Sequence, residues 1–133
     1  NIISVVNRFF AEDVRQKIVT NKAINLINLW AYKDFLIICH FREPDVTGHI
    51  YGVDSAEYYD QILRNDRHLG KIIAALQANG ILENTTIIVL SDHGFGWPGP
   101  FTHKDAPNTF IIGTESDMWM DEITPLILNE LSR

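Results

Sequence analysis

The chain has 133 residues, 46% of them hydrophobic, and a formal net charge of −6. That length suits one compact domain with a real core, and that composition excludes long disorder. The negative balance excludes nucleic acid as a main partner, although an anionic substrate can still bind where metal ions supply local positive charge.

The single cysteine, Cys39, excludes an internal disulfide and a Cys-x-x-Cys site. It sits in the apolar run "FLIIC" and reads as a packing residue. No apolar run reaches transmembrane length and no signal peptide is visible. The chain starts at Asn1, so it reads as a trimmed piece, and a missing signal says little about compartment.

In chain order, residues from about Val5 to Trp30 read as helix. Val14, Ile18, Ala23, Ile27 and Trp30 recur three or four positions apart, with room for a break near Thr20-Asn21. "FLIICHF" reads as a strand apolar on both faces, as in a parallel sheet covered by helices. Ser55 is the expected N-cap of a helix running to about Asn79, with Gly80 as its stop. Its expected inner stripe is Tyr59, Ile62, Leu63, Leu69, Ile73 and Leu76. "TTIIVL" and "NTFIIG" read as two further strands. "DEITPLILNEL" reads as a closing helix that tolerates Pro125 near its first turn. Strands alternating with helices predict an α/β fold, a mostly parallel sheet with helices on both faces.

In such sheets ligands bind beyond the carboxyl ends of strands. Asp45 and His49 follow the first strand, and a helical turn would put both on one face. Asp92 and His93 follow the second strand in "SDHG", and His103 precedes the third. Two carboxylates and three imidazoles on one sheet edge suit zinc, with manganese or iron as alternatives. Each piece alone is weak, because Asp, His and Gly are also ordinary turn residues. Together and in this order they form a specific signal.

"EPDVTGH", then "SDHGF", then a histidine before an apolar strand, resembles the alkaline phosphatase superfamily. The Glu-Pro-Asp form with Gly-His resembles its type I phosphodiesterase and nucleotide pyrophosphatase branch, over roughly residues 22 to 131. The resemblance implies an alkaline phosphatase-like fold and two divalent metal ions, usually zinc. By match, Asp45, His49 and His103 would hold one, and Asp92 and His93 would help hold the other. It implies a phosphate-ester or nucleotide-like small-molecule substrate and hydrolysis of phosphodiester or pyrophosphate bonds. The compartment leans toward export.

In that family a threonine or serine nucleophile lies well before the Glu-Pro-Asp motif. Here Ser4 and Thr20 follow no visible buried strand, so the catalytic nucleophile is not found in this chain. Residues 1–133 therefore read as the C-terminal part of a metal-dependent phosphohydrolase catalytic domain, inactive when isolated. Two alternatives stand beside this reading. One is another branch: phosphomonoesterase, phosphomutase, sulfatase or phosphoethanolamine transferase. The other is a catalytically inactive binding or structural fragment. A partial sheet would leave an open edge or an uncovered apolar face, and the fragment would self-associate.

Other residues receive plainer readings. His40 reads as packed or as supporting a ligand, His68 as solvated, and Lys104 as a surface lysine. Asp66 reads as a structural hydrogen-bonding carboxylate, and Gly70 as a point of close helix-to-sheet packing. Glu43 either orients a neighbour or is exposed. Trp97 and Phe101 either line a pocket or cover the sheet edge. The sequon at Asn84 is a weak match.

Overall fold

The structure, a computed structural model, describes residues 15–96, 102–104, 106, 109–113 and 122–130. Among them are four α-helices: α1 (Gln16–Trp30), α2 (Asp45–Tyr51), α3 (Ala56–Ala78) and α4 (Ile123–Glu130). Two short strands, β1 (Val89–Leu90) and β2 (Ile111–Ile112), form the sheet. The expected start of the first helix, together with Val14, Trp97 and Phe101, lies outside the described residues.

The longest helix forms where its caps dictate. Ser55 Oγ accepts from the Tyr58 backbone N–H at 3.1 Å, which satisfies one of the orphan donors of the first turn. At the other end Gly80 takes a φ of +70°, a conformation that costs glycine least. Gly80 N then donates to Gln77 O and Ile81 N to Leu76 O, which closes the helix.

The core lies between α1 and α3. Thr20, Ala23 and Ile27 of α1 and Leu76 of α3 are buried. Ala23 and Ile27 are two of the expected apolar positions, but Ile18 is 45% exposed and Thr20 takes the inward place. Helix α1 runs through Thr20-Asn21 without a break. Thr20 suits the interior because its hydroxyl donates to Gln16 O at 2.8 Å and meets His68 Nδ1 at 2.9 Å. Gln16 reaches Gln61, Thr20 reaches His68 and Asn79 reaches Asn28. Position rises along both helices together, so α1 and α3 run parallel and the chain between them must return the other way.

That return is the extended segment 34–41, the expected strand "FLIICHF". Its side chains alternate as a strand's do, with Phe35, Ile37, Cys39 and Phe41 turned inward and Leu36, Ile38 and His40 outward. It has no ladder partner among the described residues, and Ile38 is 81% exposed.

The inner face of α3 differs from the expected stripe. Leu69, Ile73 and Leu76 face inward, but Tyr59, Ile62 and Leu63 are exposed. Tyr58, Gln61, Asn65, His68 and Ile72 turn toward the rest of the protein instead. Polar side chains occupy this face because each of Gln61, Asn65 and His68 finds a hydrogen-bond partner there. Asp66 shares the exposed face with Ile62, so no burial has to be compensated. Gly70 is exposed, with no atom within 4 Å of where a Cβ would stand, so close packing does not explain it.

Strands β1 and β2 are shorter than "TTIIVL" and "NTFIIG" and pair antiparallel, Val89 with Ile112 and Leu90 with Ile111. A parallel pairing needs a crossover, usually a helix. Between Leu90 and Ile111 the described residues contain no helix, and Gly96 N donates to Thr102 O at 2.7 Å to fold the loop back. Ser91 N to Phe110 O at 3.2 Å continues the antiparallel pairing. Helix α4 stands where "DEITPLILNEL" was expected, with Pro125 in its first turn. Among the described residues no helix is long and apolar enough to cross a membrane.

Candidate metal centre

Helix α2 is built by the residues around it. Glu43, just ahead of it, turns its carboxylate back. Its Oε2 accepts from Thr47 N at 3.0 Å and from Thr47 Oγ1 at 2.7 Å. Asn65 Nδ2 of α3 donates to the Glu43 carbonyl and fixes this cap to the neighbouring helix. The Glu43–Pro44 peptide is cis. Gly48 N donates to Pro44 O at 2.9 Å and closes the first turn. Asp45 thus starts the helix, where a negative charge is favoured. His49 lies one turn on, on the same face, with Nε2 at 3.5 Å from Asp45 Oδ1.

His103 reaches the same point from the loop after β1. Its Nε2 lies 3.2 Å from Asp45 Oδ1 and 2.9 Å from His49 Nε2. Its other nitrogen, Nδ1, meets Gly94 O at 3.0 Å. A carbonyl can only accept, so the proton is assigned to Nδ1, and in the neutral ring Nε2 keeps its lone pair for the cluster.

This arrangement concentrates electron density. Asp45 Oδ1 is buried with no hydrogen-bond partner, although two ring nitrogens stand near it. With its proton on Nδ1 a neutral His103 has nothing to donate from Nε2 to the carboxylate, so a positive charge at this point, a second ring proton or a bound metal ion, is what the pair favours. The ligand atoms of Asp45, His49 and His103 all fall within 4.8 Å of one another. An ion bound tetrahedrally by bonds of about 2 Å holds its ligand atoms about 3.3 Å apart. The spacings of 2.9, 3.2 and 3.5 Å bracket that value. The donor set therefore fits a divalent metal. The side chains keep 36% to 40% of their exposure, which leaves one side open to solvent or substrate.

His93 stands beside this group, with Asp92 next to it in the chain. His93 N donates to Asp92 Oδ1 at 3.1 Å, and its Nε2 is 3.6 Å from Asp92 Oδ2. The His93 ring lies 4.0 Å, centroid to centroid, from His103. The structure thus gathers three of the five sequence candidates, sets His93 against His103, and pairs Asp92 with its neighbour His93. His40 and Lys104 face solvent, and burial pushes the Cys39 thiol pKa up, away from reactivity.

Sequence reasoning missed Phe95, Tyr58 and the role of Gly48. The Phe95 ring lies 5.1 Å from His49 and 4.8 Å from His103 by centroids. A Cβ on Gly48 would come within 2.6 Å of Phe95 Cζ and 3.1 Å of Tyr58 Cε2. Glycine is the residue that lets α2 approach these rings so closely. Burial, and then the charge of Asp45, push the Tyr58 phenol pKa up. The one available signal was the apolar residue directly after "SDHG". His68, expected to be solvated, is half-buried, and burial pulls its pKa down.

The chain matches the type I phosphodiesterase / nucleotide pyrophosphatase family over residues 4–119 and belongs to that family. The match begins earlier than the resemblance to residues 22–131 drawn from the motifs, and it ends earlier. Among curated relatives, ectonucleotide pyrophosphatase/phosphodiesterase family member 7 of Rattus norvegicus is 36% identical over 59 residues. That stretch is 44% of this chain and 13% of the rat protein. Bis(5'-adenosyl)-triphosphatase ENPP4 of Bos taurus is 36% identical over 56 residues, 41% of this chain and 12% of that protein. Venom phosphodiesterase 2 of Crotalus adamanteus is 38% identical over 61 residues, 46% of this chain and 7% of that protein. The matched length is thus about an eighth of the first of these relatives. No solved structure matches the chain. Family membership implies an alkaline phosphatase-like α/β fold.

Proposed function

We propose that this chain supplies metal ligands to a hydrolase of phosphodiester or pyrophosphate bonds. The observation that carries the reading is the Asp45–His49–His103 group in a member of this family. Asp45, His49 and His103 would hold one divalent ion, most simply zinc, with manganese as the alternative. Asp92 and His93 would hold part of a second, completed by residues elsewhere. Bound there, such ions polarise a phosphoryl oxygen and lower the pKa of water.

The chain's own residues would do the rest of the positioning. Asp45 brings the negative charge that draws a cation to the site. Gly94 O holds the Nδ1 proton of His103 and so keeps Nε2 aimed inward. The exposed side of the group leaves room for a phosphate ester. Relatives named as a bis(5'-adenosyl)-triphosphatase and a venom phosphodiesterase support a nucleotide-like substrate.

In this reading residues 1–133 are the C-terminal part of a larger catalytic domain, and the hydroxyl nucleophile comes from outside them. The parallel course of α1 and α3 supports helices flanking a mostly parallel sheet, because successive βαβ units set their helices parallel. The outward apolar side chains Leu36, Ile38, Tyr59, Ile62 and Leu63 support a surface covered in the complete domain, and self-association of the chain without it.

The test is hydrolysis of a nitrophenyl ester of thymidine monophosphate by the longest natural form carrying this chain. The reading requires chelator-sensitive turnover that Asp45→Asn and His103→Ala reduce at least 100-fold. Turnover indifferent to chelator and to both substitutions would overturn it.

A further inference from the structure

We infer that Phe95 is a positioning residue for His49 and His103. Its ring, seated against the bare backbone of Gly48, sets the angle at which the two imidazoles meet. The inference rests on the metal-centre reading and adds to it the device that holds two of the ligands in place.

Each imidazole has a contact close in the chain, His49 Nε2 to Asp45 Oδ1 at 3.5 Å and His103 Nδ1 to Gly94 O at 3.0 Å, but such a contact does not by itself set the plane of the ring. His49 stands at an exposed face of a seven-residue helix, and His103 comes from a loop. Yet their planes stand at 86° to each other with both Nε2 atoms converging. Phe95 is in contact range of both: it meets His49 at 67° and His103 at 46°. It also meets Tyr58 of α3 edge-on, at 90° and 6.0 Å. One apolar ring therefore touches both ligand rings and the long helix at once.

Its seat is specific. The closest atoms to a Cβ built on Gly48 are Phe95 Cζ and Cε2, at 2.6 and 2.8 Å. Real Cβ contacts are not that short, so any side chain at position 48 must displace the ring. Alanine is a better helix former than glycine, so Gly48→Ala would not harm α2 through propensity. Any loss it causes must come through Phe95 or the nearby Tyr58. Packing of this kind restricts ligand rotamers before the metal arrives, and preorganised ligands bind more tightly.

Cobalt(II) titration of the 133-residue chain, read by visible absorption, reports both affinity and ligand geometry. Phe95→Leu keeps an apolar side chain but removes the ring. It should lower affinity roughly 10-fold, as loss of groups that orient metal ligands does, and alter the absorption bands. Gly48→Ala should do the same in the wild-type background and add little in the Phe95→Leu background. In the metal-free chain, both substitutions should weaken the nuclear Overhauser contacts between the His49 and His103 rings, which loss of the Phe95 ring current alone does not change, while the far-UV circular dichroism stays constant. Should Phe95→Leu fail to fold, Gly48→Ala carries the test alone. Unchanged affinity, absorption and contacts between the two imidazoles would overturn the role of Phe95. If the wild-type chain takes up no cobalt, the metal-centre reading fails, and the contacts between the imidazoles still decide whether Phe95 sets the rings.

Discussion

His49 and His103 bring their Nε2 atoms to 2.9 Å although 54 positions separate them in the chain. One arrives on α2, the other on the loop after β1, and Asp45 Oδ1 completes the triangle. Everything proposed about this chain depends on how that meeting is held.

The first support is the cap of α2. Glu43→Ala removes two hydrogen bonds at the start of the helix that carries Asp45 and His49. Urea unfolding should show a loss of about 1–2 kcal/mol. Thr47→Val, at a buried position, should cost about 1 kcal/mol. An unchanged midpoint for both would mean that the cap does not hold α2.

The packing of α1 on α3 gives a second prediction. Leu76 and Ile27 are each only 2% exposed. Leu76→Ala should lower stability by about 2–5 kcal/mol, and the same change at the exposed Leu63 should stay within about 0.5 kcal/mol. Equal effects in chemical denaturation would contradict this placement of the core.

This contrast marks what could be read from sequence. The caps Ser55 and Gly80 were legible because they act on neighbouring backbone. Ser55 and Gly80 sit where local hydrogen bonding and φ require them. The candidates Asp45, His49, Asp92 and His93 were legible because they follow apolar runs, and His103 because it precedes one. The inner stripe of α3 was not, because both of its faces carry apolar side chains. Tyr59, Ile62 and Leu63 have the right period but face outward, and Asn65 and His68 face in because partners wait for them. The pairing of "TTIIVL" with "NTFIIG" was also illegible, since it depends on the Gly96–Thr102 contact between loop residues.

His68 supplies a prediction in pH. Its Nδ1 meets Thr20 Oγ1 and its ring lies 6.2 Å from Phe41. Burial lowers its pKa, and the charges of Lys71 and Arg67 lower it further. A histidine with a depressed folded-state pKa favours the fold while neutral. Its contribution is full above the ordinary value of about 6.5 and is lost as pH falls below it. The metal-free chain should therefore lose thermal stability between pH 7.5 and 5 more steeply than His68→Gln. Parallel curves for the two proteins would contradict this.

The outward side chains give a fourth. Ile38 stands on an extended segment with no ladder partner among the described residues. Sedimentation at increasing concentration should show self-association of the chain, and Ile38→Lys should shift it toward monomer. A monomer at all concentrations would argue for a self-sufficient domain.

The central claim is that Asp45, His49 and His103 bind one divalent metal. Zinc titration of the 133-residue chain, followed by calorimetry and by the rise in melting temperature, tests it most directly. The account predicts saturable zinc binding that falls at least 100-fold in each of Asp45→Asn, His49→Ala and His103→Ala. Zinc binding that survives all three substitutions, or no binding by a folded wild-type chain, would contradict it.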